Sequence, residues 1–127
     1  MNFTKFSLSL LLTIPILSLA ATDYLKKDAP FTEARALLIK DKWKPVRMHM
    51  QDHNVYEGVE KELFRHKFIE VDTCSMDTSR CILFYKKNDR CLRLDTIGEQ
   101  LKAMKVVQWS EECPGSPPKR STKTTAN

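Results

Sequence analysis

Apolar residues recur along this chain first with a helical period and then with a period of two. Ala34, Leu37 and Leu38 lie with Asp41 along one helical face, so Glu33 to Asp41 is predicted as a short amphipathic helix. Thr32 stands where an N-cap belongs, with Glu33 in the first turn and Pro30 just upstream. Trp43 and Pro45 follow, and Pro45 forbids continuation because it has no backbone N–H to donate. Val46 to Met50 reads as a short strand or an extended segment. A second helix is signalled by Asn54 three positions before Glu57, the spacing of a capping box. Tyr56, Val59 and Leu63 then fall at i, i+3 and i+7. Glu57, Glu60 and Glu62 come early while Arg65, His66 and Lys67 come late. That is the polarity a helix dipole favours, with His66 as a capping cation.

After Lys67 the period changes. Phe68 to Asp72 reads as a strand with Glu70 and Asp72 directed away from its apolar positions. Cys81 to Lys86 is apolar and aromatic, as a strand buried on both faces would be. Lys87-Asn88-Asp89-Arg90 is a polar turn. Leu92 and Leu94 alternate with Arg93 and Asp95 in a half-buried strand that Gly98 ends. Lys105 to Ser110 forms another, with Val107 and Trp109 on one face. Four consecutive strands with short connections predict an antiparallel meander. With the helices ahead of it, the fold class is α+β: two short helices packed on a four-stranded antiparallel meander. Phe84, Tyr85, Trp109 and Trp43 are expected in its core rather than on a binding platform.

The two ends of the chain read differently from its middle. Lys5 followed by the apolar run Phe6 to Leu19 has the form of a signal peptide, residues 1–20. Ser18-Leu19-Ala20 supplies the small residues a peptidase reads, and the run is shorter than the roughly 20 residues of a membrane span. No stable membrane anchor is therefore expected after cleavage. Residues 114–127 open with Pro-Gly-Ser-Pro-Pro and hold no large apolar side chain, as a disordered polar tail would. Between them, residues 21–113 form a single domain. Cys74, Cys81, Cys91 and Cys113 all lie in it, and an even set in an exported small domain reads as a disulfide framework. Four cysteines allow three pairings. The meander favours Cys74–Cys81, which face each other at a hairpin neck, and Cys91–Cys113, joined across the last two strands. A four-thiolate zinc site is disfavoured because no C-x-x-C pair occurs.

Charge narrows the partners. The chain carries 21 Lys+Arg against 16 Asp+Glu, a net of +5. Lys5 lies in the leader and Lys119, Arg120 and Lys123 in the tail, which leaves 17 basic and 16 acidic residues in the domain. A near-neutral domain argues against nucleic acid, whose phosphates need clustered basic charge. His49 and His53 are four apart with Asp52 between them, a spacing that could share a metal ion on a helix, but H-E-x-x-H is absent. His49 or His53 with Lys86 or Arg93 could serve a nuclease-like hydrolase, and Glu70/Asp72 or Asp95/Glu99 could flank a sugar. Nothing in the spacing demands either. With three glycines there is no Gly-rich phosphate loop, no G-x-S-x-G is present, and pairing leaves no thiol for a cysteine nucleophile. Catalytic residues, metal ligands and cofactors are therefore all expected to be absent.

Several of these residues carry a resemblance. Phe31-Thr32-Glu33-Ala34-Arg35-Ala36-Leu37-Leu38-Ile39, Lys42-Trp43-Lys44-Pro45-Val46, Glu70-Val71-Asp72-Thr73-Cys74-Ser75 and Thr96-Ile97-Gly98-Glu99 form one pattern. It resembles a family of small exported bacterial proteins that read T-E-A-R, then W-x-P-V, a cysteine-flanked turn and T-x-G-E. This sequence has Lys42 where a glycine usually precedes the tryptophan. The resemblance implies a bacterial, periplasmic or secreted setting and supplies no catalytic residues.

The expected function is a non-enzymatic binding or inhibitor-type module that acts on a periplasmic or extracellular protein or a wall component. The Ser75 to Arg80 loop is its most exposed candidate for contact, with a plain structural hairpin as the favoured reading of that segment. A small secreted hydrolase and a metal-binding module through His49 and His53 are the alternatives. N-terminal sequencing of exported protein should begin at Ala21, because cleavage after Ala20 fits the peptidase best. Met1 on exported material would refute the leader.

Overall fold

The computed structural model describes residues 22–50 and 55–115. The predicted leader, the tail beyond Gly115, and Asp52, His53 and Asn54 lie outside the described residues. Helix α1 spans Phe31–Lys40, and its N-cap is Pro30 rather than Thr32. Pairing with the last strand moves the start. Pro30 bridges Lys105, and the Phe31 N–H donates to the Met104 carbonyl at 2.9 Å. The Pro30 carbonyl then accepts the N–H groups of Glu33 and Ala34, so the helix is under way before Thr32 can cap it. Phe31, Ala34 and Leu38 form the buried stripe, while Leu37 is 40% exposed.

Helix α2 spans Gly58–Arg65 with Glu57 as its N-cap. A capping box from Asn54 would put Glu57 inside the helix, at its third position. Instead the chain bends at Gly58, φ +59°, a left-handed conformation that glycine adopts without strain, and the helix starts at that bend. Val59 and Leu63 are buried on α2, whereas Tyr56 precedes the helix and rests on Phe64, ring centroids 4.0 Å apart.

Both helices end the same way. Lys42 sits at φ 69°, its N–H donates to Ile39, and the Trp43 N–H reaches back to Leu38 at 3.0 Å. Lys67 sits at φ 61°, its N–H donates to Phe64, and the Phe68 N–H reaches Leu63 at 3.0 Å. These are Schellman motifs with lysine in the place glycine usually takes. In each the following aromatic folds back: Trp43 is 1% exposed and Phe68 packs against the core.

Five antiparallel strands make the sheet: β1 (Lys44–Pro45), β2 (Val71–Cys74), β3 (Arg80–Lys87), β4 (Arg90–Ile97) and β5 (Lys105–Ser110). β2 to β5 run as the expected meander. The fifth strand, β1, lies just before the segment predicted to be extended, and it pairs with β3 at Pro45↔Tyr85 and Lys44↔Lys86. β2 takes the rest of that edge, from Val71↔Leu83 to Cys74↔Cys81. The β3–β4 hairpin closes through Asn88 at φ 52°, a conformation asparagine tolerates. β4–β5 carries an irregularity between Asp95 and Thr96. It puts Val106, not Val107, on the core face beside Trp109. The stretch before α1 guards the outer edge of β5, exchanging hydrogen bonds between Asp28 or Ala29 and Val106.

Both helices lie on one face of the sheet over a core that includes Leu83, Tyr85, Leu92, Leu94 and Val106. Trp43, Phe84 and Tyr85 are buried and Trp109 packs against the core, as expected of core aromatics. The disulfides are Cys74–Cys81 and Cys91–Cys113, with Cα–Cα distances of 4.1 and 4.9 Å. Each contributes about 2–4 kcal/mol, mainly by restricting the unfolded chain. The pair fits a small stabilised protein of an oxidising, exported environment. Among the described residues no helix is long and apolar enough to cross a membrane.

Gly98 holds the corner after β4 at φ 151°. A Cβ there would lie 2.7 Å from Met104 Cα and 2.8 Å from the Ala103 carbonyl oxygen, both backbone atoms. Gly98→Ala should therefore cost about 1–3 kcal/mol of stability. Urea unfolding measures it, and an unchanged midpoint would mean the corner yields freely.

Candidate functional site

The sequence places an acid, Glu70, inside an otherwise apolar run, and the fold buries it completely. This corrects the expectation that it points away from the apolar positions. β2 begins only at Val71, so Glu70 precedes the alternating part of the strand and turns inward beneath α1. Arg35 of α1 forms an ion pair with Glu70 Oε1, and the Tyr85 hydroxyl donates to the same oxygen at 3.0 Å. Oε2 has no hydrogen-bond partner among the described residues. The Arg35 guanidinium also lies 4.6 Å from the Phe68 ring centroid, and Phe68 meets Phe31 edge-on at 5.8 Å. Burial, and next the Glu70 charge, pushes the Tyr85 phenol well above its ordinary range, so it remains a neutral donor. The group is closed off from solvent on the carboxylate side and ties α1 to the sheet.

The other residues singled out above are dispersed. His49 donates from Nε2 to the Asp72 carbonyl at 2.8 Å and meets the Phe64 ring edge-on at 5.3 Å. It borders a cleft of about 290 Å³ with Arg47 and Lys67. Its proposed metal partner His53 lies outside the described residues, among which no group of three metal-ligating side chains gathers. Lys86 borders a different cleft, beside Lys42 and Lys44. Arg93 grips Asp95 through two hydrogen bonds, 2.6 and 3.0 Å, and approaches Glu112 at 3.5 Å. The fold therefore does not set His49 beside Lys86, and it commits Arg93 to Asp95 and Glu112. Glu70 and Asp72 also part company, one buried in an ion pair and the other half-exposed. Asp95 is further held by the Gln108 amide at 2.9 Å, whereas Glu99 is exposed.

The loop between Cys74 and Cys81 is the built feature of this surface. The Ser75 N–H donates to the Arg80 carbonyl at 2.8 Å and the Ser79 N–H to Ser75 at 3.0 Å. The Ser75 and Thr78 hydroxyls hydrogen-bond to one another, and the Gly98 N–H donates to Ser79 at 3.1 Å. Met76 stands at the outside of this frame, 67% exposed. Sequence spacing locates the loop. It gives no sign of the exposed thioether's fixed mounting, which depends on contacts with the distant Gly98 corner. The Glu70 pair is equally hidden, its single sign being an acid flanked by Ile69 and Val71. Comparison of the chain with known protein families, with curated proteins and with solved structures finds no match.

Breaking the buried pair from its two sides should have unequal effects. Arg35→Met leaves the Glu70 carboxylate buried without a cation and should cost about 3 kcal/mol. Adding Glu70→Leu should restore part of that loss, because no charge is then left buried, although the Tyr85 hydroxyl loses its acceptor. Denaturant midpoints of the single and double variants test this, and additive losses would contradict it.

Proposed function

We propose that this chain is an exported binding module of the inhibitor type, not an enzyme, which docks on a periplasmic or extracellular protein. The observation that carries the reading is Met76, a large apolar side chain 67% exposed on a loop that a disulfide and five hydrogen bonds hold in shape. A loop ordered before contact loses little conformational entropy when it binds, so its contact area is converted into affinity. A methionine at its tip suits an apolar pocket on a partner protein, since the flexible thioether fills irregular space. The two disulfides support an oxidising setting, and the domain's modest core makes such staples necessary. The nuclease-like alternative pairs His49 or His53 with Lys86 or Arg93. His49 and Lys86 border separate clefts, Arg93 is held by Asp95, and His53 lies outside the described residues.

The test uses the oxidised exported chain, immobilised and exposed to the exported protein fraction of its own cells. A partner retained by the wild type should be lost with Met76→Asp, by about 2 kcal/mol or more if Met76 is the anchor. The thermal midpoint should stay unchanged, because the side chain contacts mainly solvent. A partner held equally by both forms would overturn the assignment.

A further inference from the structure

A second surface, at the opposite end of β3, goes beyond this reading. We propose that the cleft between β1 and the β3–β4 turn is an anion site for a phosphate-bearing ligand. Lys42, Lys44, Lys86 and Lys87 border it, Pro45 and Val46 add an apolar wall, and its volume is about 750 Å³. That volume suits a small ligand, for which clefts run to roughly 300–1,000 Å³.

The sheet register makes this cluster unusual. Lys44 and Lys86 stand directly opposite each other on β1 and β3, both exposed, and among the described residues neither has an ion-pair partner. Like charges in directly opposed positions destabilise a strand pair. Lys87 alone is neutralised, by Asp41 at 3.1 Å. The four lysines that border the cleft, set against Asp41 and against Asp89 in the same turn, leave a net charge of +2 on a domain with 17 basic and 16 acidic residues. The positive field comes from placement, not composition. Lys42 in its left-handed conformation adds less, since Lys67 takes the same position on α2 and a cation there also suits the helix dipole.

The kind of cation selects the anion. Lysines approach as separate point charges, which suits a phosphate group with oxygens on all sides and about −1.5 to −2 of charge. A lone carboxylate is matched better by the planar fork of arginine. The nearby Arg90 is engaged with Glu111 and with the face of Trp43.

The experiment titrates pyrophosphate into the oxidised exported chain by calorimetry at low and moderate salt. Saturable binding that weakens with salt is expected. The double variant Lys44→Gln/Lys86→Gln should lose at least tenfold in affinity while its thermal midpoint holds or rises, because the facing charges are gone. Lys102→Gln, an exposed lysine on the short turn before β5, should bind as the wild type does. Co-sedimentation with phosphatidylglycerol vesicles that pyrophosphate reverses would identify a lipid headgroup as the source, and pyrophosphate binding without it a soluble phosphate. Absence of binding at millimolar pyrophosphate would overturn the proposal. So would equal loss in Lys102→Gln, or tighter binding of a glutamate-rich peptide. None of these outcomes involves Met76, so failure here leaves the docking loop standing.

Discussion

The backbone of β3 has to be hydrogen-bonded on both edges, and β4 can serve only one of them. β2 and β1 divide the other edge end to end, and the handover falls at Phe84. There the N–H donates to the Glu70 carbonyl and the carbonyl accepts from the Val46 N–H, each at 3.0 Å. A buried strand cannot leave such groups unpaired without losing stability comparable to the rest of the fold's margin. The chain must therefore bring Glu70 to the middle of the sheet. Its side chain then has nowhere to go but inward, and Arg35 and Tyr85 are what make that position tolerable. The same register sets Cys74 against Cys81 at one end of β3 and Lys44 against Lys86 at the other. The disulfide-closed loop and the lysine cleft are thus two consequences of one pairing.

The helices depend on the same frame. Each ends by turning through a left-handed lysine so that the next aromatic can reach the core. Glycine at Lys42 and Lys67 would relieve the backbone, but a lysine there faces the carbonyl end of its helix, where a cation is favourable. The two effects are each on the order of 1 kcal/mol and oppose one another. Lysine in such a turn is therefore affordable where a β-branched residue would not be.

Alternation and turn chemistry made most of the sheet legible in the sequence. β3, β4 and β5 are long enough to show their period, and Lys87 to Arg90 and Gly98 mark their ends. The disulfide pairing followed because Cys74 and Cys81 flank a hairpin. What stayed hidden depends on contacts distant in sequence. Two residues of β1 are too few to show a period, and Pro45 argues against a strand unless it lies at an edge, where its missing N–H does no harm. Thr32 lost its capping role to Pro30 because Phe31 is drawn to Met104, seventy-odd residues away. Glu70 could not be read as buried because β2 begins only at Val71, three residues after the expected start at Phe68, which takes Glu70 out of the alternation. The lysines of the cleft come from two segments, Lys42-Trp43-Lys44 and Lys86-Lys87, and only the β1 register joins them.

Charge is distributed in this domain by the kind of cation as much as by sign. Arg35, Arg90 and Arg93 are committed to Glu70, Glu111 and the Asp95–Glu112 pair, where a forked donor can satisfy a carboxylate and lie along an aromatic face. These contacts tie helix to sheet and the C-terminal stretch to β4, and they use up acids that could otherwise screen the lysines. With those acids engaged, Lys44 and Lys86 face each other with no ion-pair partner among the described residues, on a domain of nearly zero net charge. Water and salt alone would make that arrangement tolerable. A chain that can place Glu111 beside Arg90 could as readily place an acid opposite Lys44, and the strand pair would gain from it. The repulsion is thus a cost that folding does not require, and an anion supplied from outside the chain would relieve it.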